Sequence, residues 1–131
     1  MGLDTSHDCW HGPYSQFMEW RIWLNLFIQM DRYPDRWYDH CNGATRENYE
    51  RAWREGRYTD QSDPLNVLMN HSDCDGEIPA NLCEPLADAL YDLMVRRMPE
   101  RGVYDEKRPA TERFIAGLRK AAAAGEAVEF H

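Results

Sequence analysis

Two short segments of the chain concentrate the types of side chain that bind metal ions. Asp4–His11 contains two histidines, one cysteine and two aspartates, and Asn70–Glu77 contains one histidine, one cysteine and three carboxylates. Imidazole and thiolate groups are good ligands of Zn²⁺, and carboxylates supply harder oxygen ligands. The sequence therefore predicts that the two segments fold together around one metal ion, with Zn²⁺ as the expected cofactor. The predicted ligands are His7, Cys9, His11, His71 and Cys74.

The carboxylates in the same two segments have two possible roles. They could orient the imidazoles from outside the metal site, or serve as ligands themselves. A metal-free interpretation also stands, in which Asp73, Asp75 and Gly76 form an ordinary turn and Cys9 and Cys74 are buried small residues. Cys41 and Cys83 are predicted to be structural. The carboxylates in question are Asp4, Asp8, Asp73 and Asp75.

The second segment resembles a motif of a known enzyme family. His71-Ser72-Asp73-Cys74-Asp75-Gly76 is similar to the first motif of the DHH phosphoesterases, His-x-Asp-x-Asp-Gly, which follows a strand in that family. The resemblance implies that His71, Asp73 and Asp75 bind Mn²⁺ or Mg²⁺ and activate water against a phosphodiester. The Asp-His-His motif of that family is missing after Gly76.

A second resemblance extends over the length of the chain. The chain is similar to small uncharacterised proteins of bacteriophage genomes, and the similarity is carried by 2–12, 70–77 and 128–131. This resemblance implies a protein of the host cytoplasm. It brings no established activity, so no functional residue is transferred from it.

Composition bounds the possible classes of protein. A chain of 131 residues is expected to form a single domain, 1–131. Its net charge of -8 argues against binding to nucleic acid, which requires neutralised phosphates. The first residues lack an apolar leader, and no apolar run reaches the roughly 18 residues of a membrane span. We therefore expect a cytoplasmic protein with reduced thiols.

Four arginines close together in sequence have two interpretations. They could form a local basic patch, but the interleaved glutamates favour a solvated helix face. The four are Arg46, Arg51, Arg54 and Arg57.

Helical periodicity accounts for most of the elements that must position these residues. Gly12-Pro13 precedes an aromatic stripe, which predicts a long helix directly after the first segment. The predicted helices are Tyr14–Met30, Thr45–Glu55, Pro85–Arg97 and Ala110–Ala124. The fold class is therefore α+β and α-dominated, with about four main helices around an aromatic core and a minor sheet of two or three short strands.

Two short segments could supply that minor sheet. Leu65–Met69 is equally compatible with a buried strand and with a helix opened by Asp63-Pro64. Ala127–His131 alternates in polarity and is predicted to be a strand that could pair with Leu65–Met69.

Three function classes follow from the sequence. The first is a metal-binding protein that acts through an unknown protein or small-molecule partner, with a mainly structural Zn²⁺. The second is a metal-dependent phosphoester hydrolase that uses Mn²⁺ or Mg²⁺. The third is a metal-free binding module that sequesters a nucleotide or a host protein. Whether the protein is an enzyme stays open at this point.

Overall fold

The computed structural model describes residues 2–35, 43–98 and 107–131 and shows a helix-dominated α+β fold. The fold class predicted from the sequence is thereby confirmed. A single 3₁₀ turn, Ser6–Asp8, lies between the first two strands. The elements in chain order are β1 (Gly2–Asp4), β2 (His11–Pro13), α1 (Tyr14–Arg32), α2 (Arg46–Arg54), α3 (Pro64–Met69), β3 (Glu77–Ile78), α4 (Ala80–Arg97), α5 (Lys107–Ala124) and β4 (Val128–Glu129).

Helix α1 supplies the central surface of the core. It begins at Tyr14, as predicted, because Pro13 provides an extended residue at the N-cap position. Phe17 and Leu24 are fully buried on this helix, as expected from their helical spacing. The helix ends at Arg32, two residues beyond the predicted end.

An aromatic cluster connects α1 with the other parts of the core. The ring of Trp20 lies 4.8 Å from that of Phe114 on α5 and 5.2 Å from that of Trp10. The indole Nε1 of Trp20 donates a hydrogen bond of 2.9 Å to Thr111 Oγ1, so its polar atom is satisfied in the core. The ring of Phe130 packs edge-on against Phe17. Large rings thus join the first and last parts of the sequence.

The segment Leu65–Met69 is helical, so its interpretation as a strand is wrong. It forms most of α3, and Pro64 occupies the first turn of that helix. Asp63 Oδ1 accepts a hydrogen bond of 3.0 Å from the backbone N–H of Leu65, which caps the helix. The strand that the DHH resemblance implies before His71 is therefore a helix.

The strand predicted near the C-terminus is present, but its predicted partner is wrong. β4 pairs antiparallel with β3 through Glu77–Glu129 and Ile78–Val128. β1 and β2 form a second antiparallel pair. The described residues thus contain two sheets of two strands each in place of one minor sheet.

The last two helices begin earlier than the sequence indicates. Helix α4 starts at Ala80 and continues through Pro85, which was predicted to be its first residue. Helix α5 already includes Lys107, three residues before its predicted start. The two helices pack together, and Arg119 on α5 forms ion pairs of 2.6 and 2.9 Å with Glu84 and Asp88.

None of the helices in the described ranges combines the length and apolarity needed to cross a bilayer.

Candidate functional site

The two segments predicted to share a metal ion lie on opposite edges of β4. On one edge, the backbone N–H of Phe130 donates to Gly76 O at 2.9 Å. On the other, the backbone N–H of His131 donates to Asp4 O at 2.8 Å, and Thr5 forms an isolated bridge with Phe130. The segments are therefore neighbours in the fold, but the C-terminal strand runs between them.

The histidines of the first segment are held by oxygen atoms. His7 Nε2 lies 3.0 Å from Glu126 Oε1, and its Nδ1 lies 2.8 Å from Ser6 Oγ. This Ser–His–Glu line resembles the order of a nucleophile, its base and an orienting carboxylate. It lies outside the cavity described below, and it joins the 3₁₀ turn to the residues before β4.

His11 is held at the surface by two carboxylates. Its Nδ1 lies 2.7 Å from Asp4 Oδ1 and its Nε2 lies 3.1 Å from Asp8 Oδ1. These contacts raise the pKa of His11 above its ordinary value, chiefly through the hydrogen bond with Asp4. Asp4 and Asp8 thus hold the imidazole of His11, and each engages one of its two nitrogens.

The predicted cysteine ligands differ in their environments. Cys9 is buried against α5, and this burial raises the pKa of its thiol to about 12. Cys74 is exposed, with its Sγ 3.5 Å from Ser72 Oγ. Cys83 is fully buried, in accordance with its predicted structural role. Cys41 lies outside the described residues.

His71 is also engaged through both ring nitrogens. Its Nδ1 lies 2.7 Å from Ser72 O and its Nε2 lies 3.0 Å from Glu77 O, while its ring packs 4.2 Å from that of Phe130. In the described ranges, no three His, Cys, Asp or Glu side chains are grouped so that they could hold a metal ion. Asp73 is half-buried and Asp75 is exposed in the same loop. The geometry of this part of the chain therefore gives no support to the predicted metal centre.

A cavity of about 650 Å³ lies between α1, α2 and the residues that follow α3. We call it the Arg21 groove, after the buried arginine that is one of its charged lining residues. Its apolar wall consists of Met18, Tyr49, Trp53 and Met69. Trp53 is 56% exposed, which is unusual for the largest apolar side chain. A volume of this size is typical of small-molecule sites.

Arg21 brings a cation to this groove from within α1. The residue is only 4% exposed, and burial lowers the pKa of its guanidinium, an effect that nearby Tyr49 and Asp73 partly oppose. Its Nη1 donates to His71 O at 2.6 Å, and its Cζ lies 4.7 Å from the ring centre of Phe17. Among the described residues, neither Nε nor Nη2 of Arg21 has a hydrogen-bond partner, and no carboxylate forms an ion pair with it.

Two further arginines border the groove from α2. Arg46 pairs with Glu50 one turn later, with 3.2 Å between Nε and Oε1. Arg54 is exposed and also lines the cavity. The helical i,i+4 pairs support the prediction of a solvated helix face for Arg46 and Arg51, since Arg51 also lies 3.8 Å from Glu47. For Arg57 the prediction is wrong, because this residue lies after α2 and its side chain is buried and donates to Gln29 Oε1 at 2.8 Å. The sequence did not indicate that one edge of this face borders a cavity.

Sequence reasoning missed Arg21, although the sequence contained a signal. Arg21 stands between Trp20 and Ile22, inside the most aromatic part of α1. A charge at such a position must either reach solvent or be buried with compensating contacts. A single arginine within an apolar stretch of a helix therefore indicates a buried charge that needs a partner.

Comparison with protein-family models, with curated proteins and with solved structures gave no match for this chain. The proposals below therefore rest on the geometry of the described residues.

Proposed function

We propose that this chain is a metal-free binding module that holds a small organic anion in the Arg21 groove. The observation that carries the proposal is the buried guanidinium of Arg21, which lines a cavity and forms no ion pair with a carboxylate among the described residues, although Asp73 lies near enough to act on its charge. The zinc and phosphoesterase alternatives stay predictions from the sequence.

The energetics of burial favour an anionic ligand. Removing an ion from water costs several kcal/mol unless partners compensate for the lost hydration. Arg21 receives part of this compensation from the carbonyls of His71 and Leu68 and from the face of the Phe17 ring. An anion in the groove would compensate the charge of Arg21, and the interaction would be strengthened by the burial of this guanidinium.

The apolar wall favours an organic ligand over an inorganic ion. Met18 is only partly buried and has a flexible side chain that can adapt to the shape of a ligand, and Trp53 offers a large ring surface. Since binding sites combine apolar walls with a few polar groups that fix orientation, we expect a ligand that carries both a ring and a charge.

Fluorescence titration with anilinonaphthalene sulfonate (ANS) tests this function, because the dye carries aromatic rings and one negative charge. We expect ANS to bind at one site and to bind more tightly than its uncharged analogue phenylnaphthylamine. Arg21→Met should weaken ANS binding about tenfold or more, since a hydrogen bond to a charged group contributes about 1.5–3 kcal/mol.

Two further variants keep the test decisive if Arg21→Met does not fold. Arg54→Gln changes an exposed residue of the groove and should weaken ANS binding. Arg113→Gln changes an exposed arginine on α5 that does not line the groove, and it should leave binding unchanged. The proposal is wrong if ANS and its uncharged analogue bind equally well, or if Arg54→Gln and Arg113→Gln behave alike.

A further inference from the structure

The charges around the Arg21 groove exceed what a singly charged ligand requires. Three arginines and one glutamate line the cavity, and the glutamate, Glu50, is paired with Arg46. Two lining guanidinium groups, those of Arg21 and Arg54, form no ion pair among the described residues, although Nη1 of Arg21 donates to the carbonyls of Leu68 and His71 and Asp73 acts on its charge. A phosphate monoester carries a charge of about -1.5 to -2 at pH 7 and offers three acceptor oxygens. Guanidinium groups match phosphate oxygens well because their N–H donors form a planar fork.

The part of the groove lined by Trp53 has the features of a stacking surface. The indole Nε1 of Trp53 donates a hydrogen bond of 2.8 Å to Asn70 Oδ1, so the ring is held in one orientation. More than half of the Trp53 surface is nevertheless exposed. Because the indole of Trp53 is already held by this hydrogen bond and is largely exposed, it can stack on a planar heterocycle without losing further conformational freedom.

We propose that the ligand of the Arg21 groove is a free nucleoside monophosphate, with its phosphate at Arg21 and Arg54 and its base stacked on Trp53. This inference rests on the proposed function, because it names the class of organic anion. The net charge of -8 disfavours a nucleic-acid strand at the same site, since a polyanion would be repelled by the rest of the molecule. The cavity volume of about 650 Å³ accommodates a ligand of mononucleotide size.

Direct calorimetric titration with AMP, adenosine and ribose phosphate separates the two parts of the ligand. AMP contains both the base and the phosphate, and each of the other two lacks one of them. We expect AMP to bind at least tenfold more tightly than either fragment. An oligonucleotide with a 5′-phosphate should bind more weakly than AMP, and tighter binding of the oligonucleotide would overturn the assignment to a free nucleotide.

Variants of Trp53 test the stacking contact. Trp53→Ala should weaken AMP about tenfold while leaving ribose phosphate unchanged, and Trp53→Phe should retain most of the affinity for AMP. Tyr91→Ala is the matched control, because Tyr91 is 52% exposed on α4 and does not line the groove. It should not change the affinity for AMP.

The outcomes distinguish the two proposals. If ribose phosphate binds as tightly as AMP, and both ligands depend on Arg54, the groove is an anion site and the nucleotide assignment is wrong. If Trp53→Ala weakens AMP no more than Tyr91→Ala does, the stacking contact is likewise refuted. If neither AMP nor ANS responds to Arg54→Gln, the proposed function itself is wrong.

Discussion

His11 shows how two carboxylates act on one exposed imidazole. Asp4 and Asp8 each lie within hydrogen-bond distance of one ring nitrogen, and together they raise the pKa of His11 above its ordinary value of 6.5. Because the pKa is higher in the folded chain than in the unfolded chain, these contacts stabilise the fold fully below the unfolded pKa. Their contribution is lost as the pH rises through the folded pKa.

We therefore expect an NMR titration of the His11 ring to give a midpoint above 6.5. Asp4→Asn should lower this midpoint more than Asp8→Asn, because the hydrogen bond with Asp4 is the largest cause of the shift. A midpoint at or below 6.5 in the parent protein would contradict the arrangement of these three side chains.

The described cysteines should differ strongly in their reaction with iodoacetamide. The thiolate is the reactive form, and burial raises the pKa of both Cys9 and Cys83. Cys74 is exposed in the loop after α3. We expect peptide mapping to find Cys74 alkylated under native conditions, and Cys9 and Cys83 alkylated only in denaturant. Native labelling of Cys9 at the rate of Cys74 would contradict the burial of the 3₁₀ turn against α5.

At the scale of elements, the contact between α5 and the 3₁₀ turn depends on Gly117. A Cβ atom at Gly117 would lie 2.5 Å from Cys9 Sγ and 2.7 Å from His7 O. Glycine is normally unfavourable within a helix by about 1 kcal/mol relative to alanine. Here the absence of a side chain lets the turn pack directly on the helix.

Gly117→Ala should therefore destabilise the protein by about 1–3 kcal/mol, the usual cost of overpacking, despite the better helix propensity of alanine. Urea unfolding followed by circular dichroism measures this change. Ala116→Gly, at the exposed neighbouring position, is the control and should cost only the propensity difference of about 1 kcal/mol. A stabilised Gly117→Ala variant would show that the turn does not pack closely on α5.

Elements with strong local signals were predictable from the sequence. Helix α1 follows from its apolar spacing, and α2 begins one residue after its predicted start at Thr45, which caps it by accepting a hydrogen bond of 3.2 Å from Asn48 N. The partner of β4 could not be predicted, because pairing between distant segments depends on how the whole chain packs. Leu65–Met69 is too short for its apolar pattern to distinguish a strand from a helix. In the structure, Asp63 caps this segment as a helix.

The candidate site was less predictable than the fold. Crowding of histidines and cysteines in the sequence predicted a common centre, but side chains close in sequence can bind nearby carboxylates and carbonyls, as His11 and His71 do. The Arg21 groove combines one residue of α1 with residues of α2 and the loop after α3. Such a combination arises from tertiary packing, and no local sequence motif predicts it.

At the scale of the molecule, Phe130 connects the beginning, middle and end of the chain. Its ring contacts Phe17 on α1 and the imidazole of His71, and its backbone N–H donates a hydrogen bond to Gly76 O. The residue is 4% exposed. Since His71 O also accepts from Arg21, the packing around Phe130 supports the loop that borders the groove.

Phe130→Ala should lower the free energy of unfolding by about 3–5 kcal/mol, which is the usual cost of removing a buried phenylalanine ring. Because the ring joins distant segments, the unfolding midpoints measured by tryptophan fluorescence and by circular dichroism should shift together. Glu129→Ala changes the exposed neighbour on β4 and should have an effect within about 0.5 kcal/mol. If Phe130→Ala loses ANS binding in the groove but unfolds at the parent midpoint, Phe130 supports only the loop around His71 and not the joined core described here.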